Sequence, residues 1–117
     1  MRNTAKIDEI QREIRSIENG QEEAEKYMRK LQKEEEESYG YLRKTLWNIG
    51  NEFEACEGDR HLTRLLEEKY SKLQEVEREC GQLLATLEEE QSKLKYQCES
   101  DIEELRREVQ QLQMEVV

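Results

Sequence analysis

Proline is absent from all 117 residues, so no position forces a helix to kink or stop by fixing φ and removing a donor. Histidine occurs once, at His61. The three cysteines (Cys56, Cys80, Cys98) form no C-x-x-C pair and have no ligand cluster beside them. That spacing fits no zinc site, and the thiols read as reduced packing residues. A Gly-rich phosphate loop, a nucleophile elbow and EF-hand spacing are all missing. No apolar run approaches the roughly 20 residues needed to span a bilayer. The start of the chain lacks the basic, apolar and small-residue succession of a cleaved signal. These absences lead to the expectation of a cytoplasmic, non-enzymatic protein with no metal, no cofactor and no membrane insertion. Export together with a partner, without a cleaved signal, stays open.

What is present is charge on a helical period. Charged residues make up 41% of the chain and hydrophobic ones 34%, with a formal net charge of −10. Such a balance is too polar for an ordinary core and too regular for disorder; it is the composition of long helices. Basic residues are interleaved with acidic ones, so no cationic patch for nucleic acid is expected.

An apolar stripe runs through each half with steps of three and four. The first reads Ile7, Ile10, Ile14, Ile17, Ala24, Met28, Leu31, then Leu42, Leu46, Ile49, Phe53, Cys56. The second reads Leu62, Leu66, Tyr70, Leu73, Val76, Cys80, Leu84, Leu87, Leu94, Cys98, Ile102, Leu105, Val109, Leu112, Val116. This spacing buries a narrow seam against another helix. The two stripes are separated at Glu57-Gly58-Asp59, where Gly58 can take a left-handed conformation and Asp59 can cap a new helix. The expected fold is all-α: an antiparallel, coiled-coil-like two-helix hairpin, completed into a bundle by a partner or a second copy. Helix 1 should span about 4–56, starting from a cap at Asn3 or Thr4, the turn about 57–59, and helix 2 about 60–116.

Folding back about Gly58 sets residue i near residue 116 minus i. In that register Lys26, Arg29, Lys30 and Lys33 oppose Glu88, Glu89 and Glu90, and Arg12 and Arg15 oppose Asp101, Glu103 and Glu104. Asp8 and Glu9 oppose Arg106 and Arg107. Each exposed pair is worth only a few tenths of a kcal/mol. Same-helix support is expected from Asp8 with Arg12, Glu22 with Lys26, Glu25 with Arg29, Glu68 with Lys72, Glu89 with Lys93 and Glu103 with Arg107. Two successive steps of four, at 31–35–39 and at 76–80–84, oppose each other and mark a locally unwound level of the seam. Abundant carboxylates off the stripe read as a solvated face rather than as acid–base machinery, which needs a water-poor pocket.

Aromatic residues concentrate between Tyr39 and Phe53. The seam near the tip should consist of Leu42, Leu46, Ile49 and Phe53 against Leu62, Leu66, Tyr70 and Leu73. Tyr41, Trp47 and Leu65 fall off this stripe. Either they cover the tip locally, or they bind a partner, since Trp and Tyr dominate interface hot spots.

The segment Trp47-Asn48-Ile49-Gly50, with Phe53 and the turn Glu57-Gly58-Asp59-Arg60, resembles the small helical hairpins of bacterial type VII secretion. Two residues rather than one separate Trp47 from Gly50, a departure from the W-x-G pattern. The charged, coiled-coil-like chain as a whole is more similar to the LXG-associated α-helical proteins, particularly their second class. The resemblance implies a targeting factor or chaperone that binds the helical N-terminal LXG domain of a toxin for type VIIb export, with or without a second small helical protein. It carries no catalytic or cofactor residue. The alternative is a self-associating coiled-coil scaffold or spacer, a homodimer whose exposed stripe is covered by its own copy.

Overall fold

A computed structural model describes residues 2–115 of the chain, and Val116, expected in the seam, lies outside them. The described residues form two helices, α1 (Arg2–Ala55) and α2 (Arg60–Glu115), and no strand. The chain is an all-α helical hairpin. No helix is long and apolar enough to cross a membrane among the described residues.

The turn is built as its residue types require. Gly58 has φ of +97°, a conformation that costs a residue with a Cβ far more than it costs glycine. Asp59 Oδ1 then accepts hydrogen bonds from the backbone N–H groups of His61 and Leu62, both at 3.1 Å. Those are two of the donors that the first turn of a helix leaves unpaired. Thr63 Oγ1 reaches back across the turn and donates to the Cys56 carbonyl at 3.3 Å. This bond fixes Thr63, not Leu62, as the first inward residue of α2.

That phase corrects two positions of the expected seam. From Thr63 the three–four steps run through Leu66, Tyr70, Leu73, Glu77, Cys80 and Leu84, all at least partly buried. Leu62 is left 45% exposed and Val76 44% exposed. Glu77 takes the place expected of Val76, so the second stutter does not exist. The first does, because Leu31, Glu35 and Tyr39 all sit inward on α1.

Contacts divide the hairpin into two compact units, one formed by Met1–Arg29 with Glu89–Val117 and the other by Lys30–Glu88. In the first, Ile14 on α1 and Ile102 and Val109 on α2 are buried. Asn3 Nδ2 donates to the Leu112 carbonyl at 3.2 Å. The expected cap of α1 is thus displaced: α1 already begins at Arg2, and Asn3 instead serves a carbonyl in the last described turn of α2. The cross-helix ion pair here is Arg106 with Glu18 at 3.9 Å, both side chains exposed.

In the second unit Leu46, Ile49 and Cys80 are buried, and Ile49 is only 3% exposed. Leu42, Phe53, Leu66, Tyr70 and Leu73 are half-buried around them. Phe53 and Tyr70 meet edge to face, with ring centroids 5.9 Å apart. Such pairs are worth about 0.5–1.5 kcal/mol beyond the area they bury.

Cross-helix neighbours shift the register near the turn. Tyr39 approaches Gly81, Phe53 meets Tyr70 and Cys56 meets Thr63. Those pairs place the fold-back near Arg60, beyond Gly58, whereas Glu35 with Cys80 and Asn3 with Leu112 fall within one residue of the expected register. The expected charge blocks do not form as drawn, since Arg106 finds Glu18 rather than Asp8 or Glu9. Of the six same-helix pairs, Glu89 with Lys93 and Glu103 with Arg107 are made; Glu68 pairs with Arg64 instead of Lys72.

Candidate partner-binding surface

In the unit Lys30–Glu88 the seam uses up one face of each helix, and what remains is two flanks. Residues advance by about 100° per position around a helix. On α1, Arg43, Trp47 and Gly50 follow the inward residues on one side. On α2, Gln74, Arg78 and Gly81 do the same. These six residues, with Tyr39, Leu46 and Tyr70 at its base, line an open groove of about 700 Å³. Trp47 is 68% exposed along it. The guanidinium of Arg43 lies 5.8 Å from the centre of the Tyr39 ring, a cation–π distance. The groove thus combines aromatic surface with the charges of Arg43, Arg78 and Glu77.

The three residues expected to bind a partner do not form one patch. Tyr41 is 72% exposed, yet six positions separate it from Trp47, which turns it about 120° away around α1. It lies on the opposite flank, where its carbonyl accepts a bond from Thr45 Oγ1 at 2.9 Å. Leu65 occupies that second flank on α2. The structure adds Leu62, Val76 and Leu83 to it, so that four apolar residues between 44% and 49% exposed share one side of a single helix. Leu83 was not singled out from the sequence. Once Thr63 is inward the row is legible, since Val76 and Leu83 follow Leu62 by fourteen and twenty-one positions.

One titratable group in the unit is displaced from its ordinary behaviour. Burial pushes the Cys80 thiol up, and its hydrogen bond to Glu35 and the charge of that carboxylate add to the effect. Sγ lies 3.5 Å from Glu35 Oε2. A thiol held protonated in this way is a poor nucleophile. All three cysteines are free, and no group of three or more His, Cys, Asp or Glu residues is arranged to hold a metal ion among the described residues. His61 is exposed at the turn, with its backbone N–H on Asp59.

No protein-family profile matches the chain, and neither characterised proteins nor solved structures give a significant match.

Proposed function

We propose that the chain is a non-enzymatic targeting factor or chaperone that binds a helical protein partner through the unit Lys30–Glu88. The partner in this reading is the helical LXG domain of a toxin exported by a type VIIb apparatus. The observation that carries it is Trp47. A large ring left 68% exposed in the groove that Tyr39 and Tyr70 also line, off the seam, is the kind of residue that anchors interfaces. A partner helix laid along the groove would cover the ring and build a three-helix or larger bundle. A second small helical protein can complete such a bundle. In this reading the complex assembles in the cytoplasm and the hairpin supplies recognition, not chemistry.

The test is co-purification of the chain with the N-terminal helical domain of an LXG toxin encoded beside it. Trp47→Ala should weaken the complex by roughly thirtyfold or more, the loss of one hot spot, while far-ultraviolet circular dichroism of the isolated chain stays unchanged. Equal capture by the wild-type and Trp47→Ala chains would rule out the groove as the contact.

A further inference from the structure

The flank opposite Trp47 carries a second heptad. From Leu62 the residues on this side of α2 are Leu62, Leu65, Lys69, Lys72, Val76, Glu79 and Leu83, again in alternating steps of three and four. All seven are exposed. Lys69, Lys72 and Glu79 make no ion pair or hydrogen bond among the described residues. The row is thus an unfilled coiled-coil seam with apolar ends and a charged middle.

We infer that this row is a self-association seam, which a second copy of the chain occupies with its own row running antiparallel. The argument is the order of the charges. An antiparallel register that sets Leu65 against Leu83 of the second copy also sets Lys69 against Glu79 and Lys72 against Val76. The Lys72 stem then covers the valine, and its ammonium reaches the neighbouring Glu75 of the second copy. Two-fold symmetry repeats every one of these contacts.

No nearby register does as well. A slip of seven residues one way sets Lys69 against Lys72, and a slip the other way leaves Val76 against Glu79. A parallel arrangement opposes each lysine to itself and Glu79 to Glu79. Charges flanking an antiparallel seam choose between such alternatives even where each adds little to stability. The seam leaves the Trp47 groove free, so the inference goes beyond the function proposed above and does not rest on it.

Sedimentation equilibrium of the full chain over a range of concentrations tests this. The wild type should be a dimer, and Leu65→Glu a monomer of undiminished helicity, since Leu65 is outside the hairpin seam. Lys69→Glu and Glu79→Lys should each weaken the dimer, roughly threefold to tenfold, by replacing two attractive contacts with repulsive ones. Combining them should restore the wild-type constant, because each reversed charge meets the other across the seam. Should Leu65→Glu prove unfolded, the charge pair alone decides. A wild-type chain that stays monomeric overturns the inference, as does a double variant no tighter than either single one. So does a dimer that ignores Leu65→Glu but is lost with Trp47→Ala, which would put the second copy in the groove. If Leu65→Glu abolishes capture of a helical partner while self-association persists, the row serves that partner and the inference again fails.

Discussion

Cys80 Sγ sits 3.5 Å from Glu35 Oε2, so a buried thiol and a half-buried glutamate meet across the seam. Both the burial and the carboxylate favour the protonated thiol, and its pKa rises. A group whose folded pKa is raised stabilises the fold below the unfolded pKa and loses that contribution as pH climbs through the folded value. Urea unfolding of the wild type and Cys80→Ala should therefore show a gap in midpoint that is constant around neutrality and shrinks in the alkaline range above the ordinary thiol pKa. Glu35→Gln removes the carboxylate charge and should lower the pH at which Cys80 reacts with a thiol-specific reagent, read site by site by mass spectrometry. A Cys80 labelling profile identical in wild type and Glu35→Gln would contradict the coupling.

The turn predicts two further losses. Asp59→Ala leaves the N–H groups of His61 and Leu62 without their acceptor and should cost about 1 kcal/mol, or roughly 4 °C in melting temperature for a domain of this size. Gly58→Ala must hold a Cβ at φ of +97° and should cost at least about 1 kcal/mol. Asp59→Asn retains an acceptor and should recover most of the loss. A melting temperature unaffected by Gly58→Ala would mean that the turn adopts another conformation in solution.

Much of this fold could be read directly from residue types. Gly58 and Asp59 mark the turn because few other residues do what each does there, and Ile14, Leu46, Ile49, Ile102 and Val109 fall inward on the longest unbroken apolar stripe of their helices. Leu62 and Val76 read as inward because they extend the apolar stripe in steps of three and four. The bond from Thr63 to the Cys56 carbonyl instead fixes the phase of α2, and a polar residue at the turn outweighs one apolar preference downstream. Charge blocks proved a weak guide to register for a similar reason. Exposed ion pairs contribute too little to override packing. Tyr41 and Trp47 both lie off the stripe, as their spacing implies, and their six-residue separation places them on different flanks.

The corrected phase is itself testable by comparing two residues that hydrophobicity alone would treat alike. Ile49→Ala empties a site that is 3% exposed and should destabilise by about 2–4 kcal/mol. Val76→Ala, at 44% exposure, should cost well under about 1 kcal/mol in the isolated hairpin. Denaturant unfolding at a fixed low protein concentration separates them. Equal losses would place Val76 back in the seam.

Glycine offers a way to separate folding from recognition. Gly20 and Gly50 both lie within α1, and a Cβ built on either meets nothing within 4 Å. Gly→Ala at such a helical site stabilises by about 0.5–1 kcal/mol, because the glycine pays more backbone entropy on folding. Both variants should therefore melt higher than the wild type. Their effects on partner capture should diverge, since Gly50 lines the groove beside Trp47 and Gly20 does not. A helix seated on Trp47 would approach the bare backbone at Gly50, so Gly50→Ala should weaken the complex while Gly20→Ala leaves it unchanged. Isothermal titration against the partner domain reads this directly, and equal affinity for both variants would show that the partner does not press against the groove at Gly50.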